Sequence, residues 1–243
     1  MNADGTGLRY FDFHQPNQVM WHPGPFLSDG RRVVFLSMEA RRDGPGRPFE
    51  EYYTQTPSHL WLYDLGRGLP VRFSFARGIS REPIWSPDGK YIYFQSNRTG
   101  TFNIYRRPAN GSADDELVYA AKAGNSPATI SPDGSVLLFT EGQDIFALPL
   151  TQPKAEPRPY LATPFSELRP KFSPDGKWVA YQSNESGKDE IYVRPFPEVN
   201  NGRWQVSTMG GTQPRWARNT GKLYYHTPTN VFFEVLQGPF NAI

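Results

Sequence analysis

The sequence predicts an all-β protein, a β-propeller of four-stranded blades. Three observations carry that expectation. Ser-Pro-Asp-Gly occurs at Ser86–Gly89, Ser131–Gly134 and Ser173–Gly176, with degraded copies at Leu27–Gly30 and Ala217–Gly221. The closing glycines, Gly30, Gly89, Gly134, Gly176 and Gly221, recur at intervals of roughly 42 to 59 residues, the period of a stacked or radial repeat. Aromatic segments (17 Phe, 13 Tyr and 6 Trp in 243 residues) are cut by 24 Pro and 22 Gly, and no window carries a long apolar stripe of helical period.

The copy beginning at Arg81 shows the unit. Pro83-Ile84-Trp85 is a short apolar strand, and Ser86–Gly89 is a turn in which Pro87 sets φ early and Gly89 supplies a positive φ at the end. Tyr91–Ser96 is the second strand, Asn97–Gly100 a further turn, Asn103–Arg106 the third strand and Glu116–Ala120 the fourth. Four antiparallel strands in about 45 residues make one blade. In each copy a polar residue (His59, Asn103, Asp144, Glu190, Asn230) precedes an apolar or aromatic pair, which reads as a strand entry with local hydrogen bonding.

Aligned on the turns, the blades span about 17–75, 81–120, 125–163, 167–208 and 212–236. The last lacks a fourth strand, and Leu8–Phe13 near the N-terminus is a strand without preceding partners. Pairing the two closes a single five-bladed domain with one blade shared between N- and C-terminal strands. The competing expectation is a chain cut from a longer one, its open edges pairing two copies as a homodimer.

Net charge is +2, from 26 basic and 24 acidic residues, and the basic residues are scattered, so nucleic acid is not an expected partner. The absence of cysteine excludes disulfides, thiolate nucleophiles and Cys-based zinc sites. No run of about 18 apolar residues exists to span a membrane, and Met1–Gly5 leads into no apolar segment of a signal peptide.

Trp85-Ser86-Pro87-Asp88-Gly89-Lys90-Tyr91-Ile92-Tyr93-Phe94 and Phe172-Ser173-Pro174-Asp175-Gly176-Lys177-Trp178-Val179-Ala180-Tyr181, each followed by Ser-Asn-x-x-Gly and Ile-Tyr, resemble the TolB-like, WD-like repeats of bacterial propellers. Val193–Pro197 and Trp204–Thr208 are further similar to propellers attached to bacterial serine/threonine kinases. No kinase motif accompanies them: there is no Val-Ala-Ile-Lys strand and no His-Arg-Asp. The resemblance implies an accessory propeller, periplasmic or otherwise extracytoplasmic. It leaves binding and catalysis both open, because related propellers include scaffolds, peptidase accessory domains and lyases.

The Ser-Pro-Asp-Gly turns mark one face of the ring. Each first strand begins at the opposite face, beside the central channel. Residues just ahead of the first strands should therefore ring the channel mouth: His22-Pro23, Arg81-Glu82, Ser126-Pro127, Leu168-Arg169 and Thr212-Gln213. His22, Glu82, Arg169 and Gln213 are the candidate ligand-binding residues, with His14, Asn125 and Glu167 in adjoining loops. A long insertion, about 39–57, reaches the same face and adds Glu50 and Tyr52. The function expected is a propeller that holds a protein, peptide or small polar ligand there. The alternative is a metal-dependent hydrolase or lyase, with His22, Glu82 and His14 holding a divalent ion that activates water. Among the four histidines there is no His-Glu-x-x-His, and no Gly-x-Ser-x-Gly elbow occurs.

Overall fold

The computed structural model describes residues 18–26, 30–39, 56–229 and 232–235, and these are β-strands joined by turns. Four sheets have four antiparallel strands in sequence order. They are β1–β4 (Gln18–Phe26, Arg32–Glu39, Ser58–Asp64, Pro70–Arg72) and β5–β8 (Ser80–Trp85, Tyr91–Ser96, Asn103–Pro108, Glu116–Tyr119), followed by β9–β12 (Asn125–Ile130, Val136–Glu141, Asp144–Pro149, Arg158–Leu161) and β13–β16 (Glu167–Phe172, Trp178–Ser183, Glu190–Pro195, Trp204–Gln205). A fifth sheet comprises β17 (Thr212–Trp216), β18 (Leu223–His226) and β19 (Phe232–Val235). The expected outer strand of that sheet, Leu8–Phe13, falls outside the described residues.

Apolar seams between successive sheets hold the blades together, and the two-residue period of each second strand feeds both of its seams. In β6, Ile92 and Phe94 pack with Val34, Leu36 and Leu60 of the first blade, whereas Tyr93 turns to Leu137 and Phe139 of the third. In β14, Val179 and Tyr181 meet Leu138 and Ile145 of the third blade, while Ala180 packs with Leu223 and Tyr225 of the fifth. A central strand buried on both faces reads as a nearly continuous apolar run rather than an alternating one, as Tyr91–Phe94 does. Each large side chain so buried contributes about 1.5–3 kcal/mol.

The repeated turns are built alike. In the second blade, Ser86 Oγ donates to Asp88 Oδ1 at 2.7 Å and accepts from the Tyr91 amide at 2.9 Å, while Asp88 Oδ1 accepts from the Lys90 amide at 3.0 Å. Gly89 closes the turn with φ 69°, which a residue with a Cβ rarely adopts. Ser131 and Asp133, and Ser173 and Asp175, repeat the arrangement. These aspartates are spent on their own turns. Strand-entry residues act similarly: Asn103 Oδ1 accepts from the Ala121 amide at 3.0 Å, and the buried Glu190 accepts from the Gly210 amide at 2.9 Å and from Ser207 Oγ.

The first strands β1, β5, β9, β13 and β17 contact one another in that order and form the innermost layer. They position the site.

Candidate binding site at the channel mouth

Each inner strand carries a β-bulge near its start, where two of its residues oppose one on the second strand. In β1, Trp21 faces Leu36 and Pro23 faces Phe35, leaving His22 as the extra residue. In β5, Arg81 faces Gln95 and Ile84 faces Tyr93, so Glu82 and Pro83 share Phe94. Arg169 and Pro170 share Tyr181 in the same way, as Gln213 and Pro214 share Tyr225. In β9 the extra residue is Ala128, after Pro127.

Glu82, Arg169 and Gln213 adopt φ of 51°, 55° and 55°, in the left-handed region. Lys154, in a loop, is the one other non-glycine with positive φ among the described residues. A non-glycine held there carries strain of about 1–3 kcal/mol. Each of the three also precedes a proline, which narrows its conformational choice further. Pro127 occupies the same place in the third blade, where the pyrrolidine ring forbids positive φ. Three blades thus aim a strained, exposed polar side chain at one level of the ring.

These positions lie within the first strands, not just ahead of them as the sequence suggests. The bulge absorbs the extra residue and lets pairing continue toward the loop face. For the same reason Asn125 and Glu167 are not loop residues: they open β9 and β13 and are only 3% and 2% exposed. Glu167 accepts from Thr163 Oγ1, and burial pushes its carboxyl above the ordinary carboxylate value. Arg81 is drawn away from the ring. With the Gln95 amide turned so that its oxygen faces Arg81, that oxygen accepts from Arg81 Nε at 3.1 Å, and the guanidinium stacks 4.4 Å from the Phe102 ring centre.

Two residues further along the inner strands, Ile84, Thr129, Lys171 and Arg215 hold equivalent registers, opposite Tyr93, Leu138, Ala180 and Tyr224. Lys171 is half-buried, its Nζ donating to the carbonyl of Ala128 on β9 and its own carbonyl accepting from Trp216 Nε1 at 3.0 Å. Burial lowers its ammonium pKa to about 7. Arg215 and Arg169 push in the same direction, and Glu82 opposes them. Burial likewise lowers the Arg215 pKa, with Arg169 adding to the effect and Glu82 opposing it. Glu82, Arg169, Lys171 and Arg215, from three blades, therefore sense one another's charge. Among the described residues, Arg169, Lys171 and Arg215 make no ion pair.

His22 is placed by its backbone in the β1 bulge, whereas His14, Glu50 and Tyr52 lie outside the described residues. No group of three or more metal-ligating side chains that could hold an ion occurs among the described residues. No described helix is long and apolar enough to cross a membrane. Lys171 and Arg215 are what sequence reasoning missed. The available signal was Pro-Lys-Phe and Pro-Arg-Trp, where the second copy has Pro-Ile-Trp.

The TolB beta propeller domain family matches residues 52–162. The chain is a β-propeller with a TolB-like segment over those residues. Among solved structures, it superposes on a TolB from Agrobacterium tumefaciens with a TM-score of 0.66 at 18% identity, covering 86% of this chain and 69% of that one. An oligogalacturonate lyase in complex with manganese gives 0.67 at 15% identity, over 93% and 68%. An uncharacterized protein of Agrobacterium fabrum is 32% identical over 91 residues, 37% of this propeller and 31% of that protein. The TolB-like propeller spans about a third of the length of the curated relatives it matches, and its likeness to the solved structures is one of fold.

Proposed function

We propose that this TolB-like propeller is a binding module that holds a protein, peptide or small polar ligand at the channel mouth through Glu82, Arg169 and Gln213. The observation that supports it is their shared left-handed conformation in equivalent bulges. Strain of that kind clusters at sites whose geometry serves a ligand. A rigid ring of stacked blades holds the three backbones in place, so binding does not have to order them. Protein recognition is the favoured use, in keeping with the TolB likeness.

The test is site-directed photo-crosslinking in producing cells, with the crosslinker at position 213 and, on the opposite face, at position 175. A crosslinked species formed from 213, weak from 175 and lost on Glu82→Gly/Arg169→Gly substitution is the expected result. Equal crosslinking from both faces overturns the reading.

The alternative is a metal-dependent hydrolase or lyase at the same mouth. It draws on the fold likeness to the manganese-bound lyase. The described surroundings of Glu82 do not fit a divalent ion. The charges that share its field are Lys171, Arg169 and Arg215, which repel a dication. Stoichiometric metal in purified protein by elemental analysis would reinstate this alternative.

A further inference from the structure

We infer that the channel beneath the ring is an oxyanion site, in which Arg169, Lys171 and Arg215 together receive a ligand carrying two or more carboxylate or phosphate groups. This inference rests on the reading of the mouth as a binding site and specifies what binds there.

The argument starts from placement. Lys171 and Arg215 occupy the same register of adjacent inner strands, and Arg169 stands two residues before Lys171 in the bulge. The Lys171 ammonium reaches across to the Ala128 carbonyl on the neighbouring inner strand, so it extends over the innermost layer rather than along its own blade. At this register the second and third blades carry Ile84 and Thr129, so the fold itself does not require a cation there.

Electrostatics makes the cluster informative. Arg169 lowers the proton affinity of both Lys171 and Arg215, Arg215 lowers that of Lys171, and none of the three makes an ion pair among the described residues, so the like charges are destabilising in the protein alone. Two arginines of the second blade are neutralised directly. Arg98 meets Asp115 at 2.6 Å, and Arg106 meets Glu116 through two bonds of 2.8 and 3.0 Å. Among the described residues the acidic group acting on Lys171 and Arg215 is Glu82, one carboxylate against three cations. A bound oxyanion supplies the missing negative charge. Two guanidinium groups offer planar forks that match carboxylate or phosphate oxygens, and the ammonium adds a point charge. Arg169 and Arg215 both keep solvent-accessible surface, although the Arg215 guanidinium is enclosed enough for burial to lower its pKa, so a ligand entering at the mouth meets them first.

The experiment is isothermal titration calorimetry of the purified propeller at low ionic strength and pH 6.5, where Lys171 is charged. The probes are citrate, pyrophosphate and, as a monovalent control, chloride. Saturable binding of citrate or pyrophosphate is expected, weakened at least tenfold in Arg169→Ala and in Arg215→Ala, and unchanged in Lys177→Ala, an exposed lysine on the opposite face. The citrate and pyrophosphate arms tell a carboxylate ligand from a phosphate one. Lys171→Met should also abolish binding. If that variant fails to fold, the two exposed arginines decide the matter alone. The inference is overturned if neither polyanion binds above the chloride control, or if binding persists in both arginine variants. Crosslinking at position 213 without polyanion binding sinks this inference and leaves the binding-module reading standing. Polyanion binding without ring-face crosslinking leaves this inference standing and narrows the binding-module reading to a small ligand in place of a protein.

Discussion

The indole Nε1 of Trp216 donates to the backbone carbonyl of Lys171 at 3.0 Å, tying the inner strand of the fifth blade to that of the fourth. The bond closes a side-to-side link that the β-ladders cannot make, because inner strands of different blades belong to different sheets. It also fixes the backbone from which the Lys171 side chain reaches Ala128.

Trp216→Phe keeps most of the apolar contact with Ala180, Ile191 and Val193 but removes the donor. The Lys171 carbonyl then loses its partner in a half-buried setting, at a cost of about 1–2 kcal/mol. Urea denaturation should show a lower midpoint with an unchanged slope. An unchanged midpoint would mean that water replaces the indole without penalty.

Lys171 makes stability depend on pH with a definite sign. Its folded pKa, about 7, lies below the ordinary 10.5, so the unfolded chain keeps a proton that the folded chain has released. Between those values the unfolded state binds more protons, and stability rises with pH. Below about pH 7 both states are charged, and the full penalty of burying the ammonium applies. Lys171→Met removes this dependence. Denaturant melts at pH 6, 8 and 9.5 should show the variant gaining most over the native protein at pH 6 and least at pH 9.5. A difference that does not vary with pH would show that Lys171 titrates normally.

The strained ring separates backbone energy from binding energy. Gln213→Gly relieves a left-handed φ and costs unfolded-state entropy, so stability should hold or rise by up to about 1 kcal/mol. Gln213→Val puts a β-branched residue at φ 55° and should lose about 1–3 kcal/mol. Thermal melts of the pair check this, and equal melting temperatures would show that the bulge relaxes to suit its occupant. Glu82→Gly, which relieves the same left-handed strain, should still lose crosslinking from position 213, because the side chain rather than the backbone meets the ligand.

The blades were legible because each depends on local chemistry. The turn residues Ser86, Asp88 and Gly89 fix a reversal by themselves, and two-residue alternation around Tyr93 assigns faces without knowledge of the neighbouring blade. Counting back from each turn led to Glu82, Arg169 and Gln213, since the repeat keeps that distance to within one residue. The bulge was not legible: only pairing against Phe94, Tyr181 and Tyr225 shows that one residue is extra. Nor was the cationic tier. Lys171 and Arg215 are 44 residues apart in the repeat frame, about one period, and meet because successive blades turn about a common axis.

The repeated turn carries its own acid sensitivity. The Ser86 hydroxyl and the Lys90 amide hold the Asp88 carboxyl below its ordinary 3.8, and Ser131 and the Ser135 amide do the same for Asp133. A depressed carboxyl stabilises the fold above its unfolded pKa, and that contribution disappears as pH falls through the folded value. The native protein should therefore lose stability below about pH 4 partly through these turns. Asp88→Asn/Asp133→Asn should start less stable at pH 7 and fall less between pH 5 and pH 2.5. Ser131→Ala, which removes both the bond to Asp133 at 2.5 Å and the acceptor for the Val136 amide at 3.0 Å, should cost about 1–2 kcal/mol at pH 7. Denaturant titrations across that range measure both effects. Parallel acid profiles for the native and doubly substituted proteins would place the acid-labile groups elsewhere in the propeller.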